Sequence, residues 1–308
     1  MDVAALRDLI AVVDAGSISR AAQGAGVSQP AMSQRIAQLE ADVGRRLLER
    51  GPRGVEATAV GLELYRGAQQ VVRQIEGLAE RLGAGDRDIH GSVSVGLPAT
   101  VAGDLVPELL SLVGERHPGV RLELFESMSG YIAELLGRGR LDLAVLFRDD
   151  DTPHDGEVRL YAEELFWVTS AAVDPREDPV SPRDLADRPL VAPGTHSNLR
   201  DLVERAFSAA GTRAHVVADV ASLPAMVRIA QRGEASAVLP RSTASAHAGP
   251  PLAFRPLDPP LWRTAVIAVA PEFHEPRAAV IAVRDAVVDA VGLAAADGCW
   301  PGIVPVHP

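Results

Sequence analysis

The chain has 308 residues, 47% of them hydrophobic, and its 41 acidic residues outweigh 30 basic ones to give a formal net charge of −11. That length allows two or three domains, and the balance excludes both a disordered chain and a uniformly basic polyanion binder. All 30 basic residues are arginine, so a P-loop lysine, a Schiff-base lysine and a kinase-type lysine are excluded as well.

From the N-terminus, Leu6, Leu9, Ile10 and Val13 have the spacing of a short amphipathic helix, which Gly16 would end. Ser17 or Ser19 can cap a brief second helix over 19–23, closing at Gly24-Ala25-Gly26. A third helix opens at Ser28-Gln29-Pro30, with serine as cap and proline in the first turn. Met32, Ile36, Leu39 and Val43 form its buried stripe, and the other side presents Gln29, Ala31, Ser33, Gln34, Arg35 and Gln38. Amides, a hydroxyl and an arginine are groups that pair with base edges in the major groove, although such a face also suits an ordinary solvated helix. Two short helices around a glycine-bearing turn predict a helix-turn-helix. Residues 45–58 then read as a hairpin whose Gly51-Pro52-Arg53-Gly54 tip, with Arg50 beside it, would supply phosphate and minor-groove contacts.

Over residues 3–61 the segments Leu6-Arg7, Gly16-Ser17-Ile18-Ser19-Arg20-Ala21-Ala22, Val27-Ser28-Gln29-Pro30-Ala31-Met32-Ser33, Ile36-Ala37-Gln38-Leu39-Glu40, Val43-Gly44 and Leu47-Leu48-Glu49-Arg50 resemble the winged helix-turn-helix of LysR-type transcriptional regulators. The resemblance implies that Ser17 and Ser28 approach phosphates and that Gln29, Pro30, Ser33, Gln34 and Arg35 face the bases of double-stranded DNA at a partly palindromic operator. Gly24-Ala25-Gly26 departs from the family, which usually has an apolar residue near position 25.

From Thr58 to about Gly83 nothing breaks a helix. Leu64, Ala68, Val71, Ile75, Leu78 and Leu82 repeat in the a/d pattern of a dimerisation seam; a long helix packed on its own domain is the other reading. The resemblance agrees with the first, since the family's linker helix pairs two chains. Residues 83–88 read as a hinge.

Beyond the hinge, strands and helices alternate. Strands are expected at 92–97, 120–125 and 141–147, with helices from 98 and over 129–137, a βαβαβ order that implies a parallel sheet with ligands beyond its C-terminal edge. A second unit has strands at 164–169, 190–192, 216–220 and 236–239, with helices over 198–210 and 223–232. A strand at 265–269 rejoins the first unit, and a helix over 278–291 closes it. Gly91-Ser92-Val93, residues 135–145 and Leu239-Pro240 resemble the LysR-type effector domain, which has the two-lobed fold of periplasmic solute-binding proteins. Ser129-Gly130-Tyr131 and residues 193–200 are most similar to the branch containing nitrogen-assimilation regulators, whereas Gly233-Glu234-Ala235 departs from the family's Gly-x-Gly. The resemblance places effector contacts at Thr100, Val101, Ser129, Phe147, Thr195, His196, Asn198 and Ser222. Hydroxyls and N–H groups at helix starts suit a small anion. His196 is either a further donor or a plain polar residue, and Arg148 and Arg241 read as solvent-exposed.

Charge divides unevenly: residues 1–87 hold 11 Arg and 11 acids, whereas residues 88–308 hold 19 Arg and 30 acids, as two parts with different partners would. One cysteine, Cys299, cannot form an internal disulfide and suits a reducing compartment. The acidic N-terminus is unlike a secretory signal, and no apolar run reaches the roughly 18 residues of a spanning helix, so a cytoplasmic protein without membrane contact is expected. G-x-S-x-G, H-E-x-x-H and zinc patterns are missing, and Asp149-Asp150-Asp151 point in diverging directions. Neither catalytic residues, a metal nor a cofactor is expected.

The expected architecture is α/β: a winged helix-turn-helix over 1–58, a linker helix and hinge over 59–88, lobe I over 89–162 and 266–296, lobe II over 163–265 and a tail over 297–308. The expected function is a homodimeric regulator, pairing again into a tetramer, controlled by a small anionic metabolite and meeting RNA polymerase if it activates. A solute-binding protein that sequesters a metabolite, or an enzyme on the same scaffold, are the alternatives.

Overall fold

The computed structural model describes residues 2–51, 54–83, 89–149, 154, 156–195, 197–244, 249–270 and 276–306. They form two compact units. In the first, α1 (Val3–Ala15), α2 (Ile18–Gly24) and α3 (Gln29–Val43) precede a hairpin of β1 (Leu48–Gly51) and β2 (Gly54–Ala57), and α4 (Ala59–Gly83) follows. Local chemistry sets each boundary. Asp2 caps α1, and Gly16 ends it in the left-handed region at φ 58°. Ser17, not Ser19, caps α2, and Ser28 caps α3 with Pro30 in the first turn. Glu40 accepts from the backbone N–H of Leu47 at 2.7 Å and Leu48 at 3.2 Å, tying α3 to the hairpin. Leu6, Leu9, Val12, Met32, Ile36 and Leu39 make the core, while Val43 is only half-buried.

The second unit is built on a seven-stranded mixed sheet. Its parallel part joins β3 (His90–Pro98) to β4 (Gly119–Ser127) on one side and to β5 (Leu143–Arg148) on the other. Helices α5 (Ala99–Arg116) and α6 (Ser129–Gly137) make the crossovers. The sheet continues through two long antiparallel strands, β6 (Glu157–Ser170) and β10 (Leu252–Val269), where the sequence suggested short ones. Between them lie β7 (Pro189–Ala192), α7 (Asn198–Ala209), β8 (His215–Asp219), α8 (Leu223–Arg232) and β9 (Ala237–Pro240), with α9 (Ala278–Ala296) and β11 (Ile303–Pro305) following. The last strand was not foreseen.

Successive side chains on a strand face opposite ways, so β6 and β10 supply two cores at each end. Tyr161, Ala265 and Ile267 pack beneath α5 and α9, and Val266 and Ala268 pack beneath α6. Further along, Leu165 and Trp167 meet α7, while Phe166, Val168 and Phe254 meet α8. These ends are the two lobes, and the expected limits at 162–163 and 265–266 fall inside continuous strands, not in loops. Among the described residues, no helix is long and apolar enough to cross a membrane.

The start of α4 has no spare room: a Cβ on Gly61 would lie 1.9 Å from the Leu47 carbonyl oxygen. Gly61→Ala, although it improves helix propensity, is therefore expected to cost about 1–3 kcal/mol. The measurement is the unfolding midpoint of the N-terminal unit, and an unchanged or higher midpoint would contradict the close approach.

Candidate functional site

On α3, Gln29, Pro30, Ala31, Gln34 and Gln38 are exposed and Ser33 is half-buried. Gln29 Nε2 donates to Ser33 Oγ at 2.9 Å, so these two present one joint polar group. The hydroxyls of Ser17 and Ser28 accept cap bonds from the N–H of Arg20 and Ala31, both at 3.4 Å, and each keeps its hydrogen to donate outward. Arg35 is not the free arm that the sequence suggested. Its Nε lies 2.7 Å from Asp8 on α1, a residue only 5% exposed. Burial raises the Asp8 carboxyl and the charge of Arg35 opposes that rise. Arg50 lies in β1, and Arg53 lies outside the described residues.

The α4 seam needs a correction. Ala68 is buried in the N-terminal core, and Leu64 packs against it, so the first two expected seam positions serve their own domain. Tyr65 fixes that face: its hydroxyl donates to Asp14 Oδ1 at 2.5 Å and accepts from Gln69 at 3.0 Å, and burial together with Asp14 pushes the phenol up to about 12. Val71 and Ile75, 41% and 38% exposed, are apolar and turned outward. Leu78 and Leu82 also lie in α4.

In the second unit the N-termini of α5, α6, α7 and α8 meet around a cleft between the lobes. Its inner chamber, about 30 Å³, is lined by Pro98, Ala99, Thr100, Ser127, Met128, Ser129, Ser197, Leu199, Leu223, Met226, Leu239 and Arg263. An outer chamber of about 170 Å³ shares Ala99, Thr100 and Leu223 and adds Gly103, Asp104, Glu126, Pro224, Ser242 and Thr243. Two expected contacts are corrected: Val101 and Phe147 are core residues of lobe I, because the face that the cleft uses is one position away on α5 and the Phe147 ring lies beneath a guanidinium. Thr195 is exposed, Asn198 is half-buried as the first residue of α7, and Ser222 is exposed with its hydroxyl accepting from Ala225 N–H at 3.4 Å. Ser197 and Leu223, their chain neighbours, line the chamber instead. His196 and the hinge residues 84–88 lie outside the described residues. Arg148 is not free either, since it pairs with the nearly buried Glu157, whereas Arg241 is exposed over Phe166 and Phe254.

Arg263 was not foreseen, and it organises the cleft. Arg263 on β10 and Glu163 on β6 are register partners, 3% and 1% exposed. The guanidinium donates from Nε to Glu163 Oε1 at 2.6 Å and from Nη2 to Thr100 Oγ1 at 3.0 Å, and lies 3.5 Å over the Phe147 ring. Glu163 Oε2 and Tyr161 Oη are buried with no hydrogen-bond partner among the described residues. Burial raises both groups, and Asp104 is pushed up to about 6 by its own burial and by Glu163. Charged residues inside otherwise apolar strands were the available signal. A separate groove of about 420 Å³ in lobe II holds Arg255 with Asp174 and Asp178 at 3.3 and 3.0 Å, so its deepest cation is already matched.

Comparison with known proteins places both units. Residues 3–62 match the family described as bacterial regulatory helix-turn-helix protein, lysR family, and residues 86–292 match the LysR substrate binding domain. The nitrogen assimilation regulatory protein nac of Klebsiella aerogenes is 31% identical over 253 residues, covering 81% of each chain. A full-length OxyR variant from Pseudomonas aeruginosa is similar in structure with TM-score 0.71 and 25% identity, covering 94% of this chain and 98% of that one. CbnR complexed with its target DNA has TM-score 0.64 at 22% identity, covering 94% of this chain and all of that one.

Two outcomes follow from these geometries. If Asp8 aims Arg35, Asp8→Asn and Arg35→Ala should each relax base choice by about 1–3 kcal/mol at the same base pair, and the double variant should be no worse than either; additive losses in a binding titration would separate the two residues. Asp104 has a folded pKa of about 6 against the ordinary 3.8, so the folded chain holds that proton more tightly and loses stability as pH rises from about 4 to about 6. Asp104→Asn should therefore match the parent near pH 4 and exceed it at pH 7 by about 1 kcal/mol, allowing for solvent screening, as read by denaturant unfolding at the two pH values.

Proposed function

The chain belongs to the LysR family of bacterial transcriptional regulators, and we propose that it is a DNA-bound homodimer, pairing into tetramers, whose second unit senses a small anion. The carrying observation is the meeting of four helix N-termini at one chamber beside Arg263. A helix N-terminus carries about half a positive charge and N–H groups outside the helix's own ladder. Those of α5 and α7 have no side-chain cap, whereas Ser222 caps α8, and the hydroxyls of Thr100, Ser127, Ser129 and Ser197 add further donors. A carboxylate fits that set better than an apolar or cationic group does.

In this reading Gln29, Ser33, Gln34 and Arg35, the last aimed by Asp8, contact base edges, Pro30 packs at the groove, and Ser17, Ser28, Arg50 and Arg53 hold phosphates. Exposed Val71 and Ile75, continued by Leu78 and Leu82, form the seam that pairs two α4 helices and sets the spacing of two recognition helices on a partly palindromic site. RNA polymerase would be a further partner if the regulator activates. The bacterial chromosome sets its place as the cytoplasm. Its relatives are regulators of transcription, and a DNA-binding module argues against both a sequestering protein and an enzyme. With Cys299 as the one cysteine, a disulfide within the chain is not its signal.

Anion binding must favour one arrangement of the lobes, with a coupling of about 1–3 kcal/mol to DNA affinity. Gly103 offers a test that changes no charge, because nothing lies within 4 Å of a Cβ built there and its side of α5 opens into the outer chamber. At operators found by footprinting across the bacterium's own genome, Gly103→Leu should keep the footprint while losing its response to inducing growth conditions. A Gly103→Leu protein that responds like the parent would move the effector elsewhere.

A further inference from the structure

The cleft has two ends of opposite polarity, and the second end is unexplained by an anion. The inner chamber is a site for negative charge. The outer chamber, which shares Ala99, Thr100 and Leu223 with it, carries Asp104 and the exposed Glu126. Among the described residues Asp104 has no ion pair or hydrogen bond, although it is half-buried. Its nearest charged neighbour in effect is another acid, Glu163, which is itself buried with one oxygen unpartnered. The cation in this neighbourhood, Arg263, has Nε and Nη2 committed to Glu163 and Thr100. Acids therefore outnumber cations at the outer end, and withdrawing a carboxylate from water without a partner is costly.

We propose that the effector is a small amino acid: its carboxylate seats at the inner helix termini and its ammonium faces Asp104 and Glu126 in the outer chamber. This rests on the anion site just described and adds to it the second charge. A ligand with only a carboxylate would leave Asp104 uncompensated and place a further negative charge near it, while a simple amine would leave the four helix termini without an acceptor. The hydroxyls of Ser242 and Thr243 on the same chamber wall suit the N–H groups of an ammonium or the polar atoms of a short side chain. The two chambers, of about 170 and 30 Å³, suit a small polar molecule.

The test is calorimetric titration of the full-length protein at neutral pH with each of the twenty standard L-amino acids. Every one that binds is followed by its des-amino carboxylate and its decarboxylated amine. At least one amino acid should bind, each truncated analogue should be weaker by about tenfold or more, and Asp104→Asn should remove most of the preference for the amino acid over its des-amino carboxylate. Carboxylates that bind equally well with and without the amine overturn this inference and leave the anion site standing. A preference for the amino acid that survives Asp104→Asn overturns the outer-chamber assignment, and binding by none of the amino acids overturns the proposal as a whole.

Discussion

One buried ion pair sits where the second unit changes from one lobe to the other. Glu163 and Arg263 face each other across β6 and β10, with the lobe I core on one side along the strands and the lobe II cores on the other. A buried pair costs desolvation of both charges and offsets that cost only when its geometry is good, while loss of one partner leaves an expensive lone charge, about 3–5 kcal/mol. The guanidinium is held on several sides, by Glu163, by Thr100 at the start of α5 and by the Phe147 ring on β5. Four elements are thus registered to one planar cation that also lines the inner chamber. Whatever enters the cleft meets the group that holds the crossing strands together.

How much of this was legible in the sequence depends on how local the cause is. The helices of the N-terminal unit could be read because Gly16, Ser17, Ser28 and Pro30 mark their ends and their stripes fall within one turn or two. The apolar stripe on α4 was readable as a stripe but not as a choice between partners: Ala68 meets the core of its own domain because Tyr65 and Val72, on the same face of α4, are drawn toward α1. The length of β10 is hidden by Asp258-Pro259-Pro260, a turn-like run that in the fold sits at a register shift between Pro256 and Leu261 while the strand continues. The partners Glu163 and Arg263 are separated by 100 residues, a distance at which periodicity says nothing.

Charge distribution connects the two units in a different way. The first 87 residues are balanced, and the rest hold the whole excess of acid. In the proposed reading DNA affinity would rest on a few placed arginines and on doubling the site, and Arg35 is paired with a buried aspartate on another helix. In the second unit the excess reaches into the cleft itself, where Asp104 lies unmatched. Neutral bulk and placed charge favour sequence choice over indiscriminate adhesion to phosphate.

The continuity of β6 and β10 has a mechanical consequence. A loop hinge can open and close by turning a few backbone dihedrals at little cost, whereas β6 and β10 join the lobes as paired strands, interrupted by register shifts between Pro256 and Leu261 and between Ala265 and Val266. Any change in the angle between the lobes is spread as extra twist along the ladder, which acts as a torsion bar. Such a ladder would resist a change of lobe angle more than a loop does, and would favour the arrangement of the empty cleft.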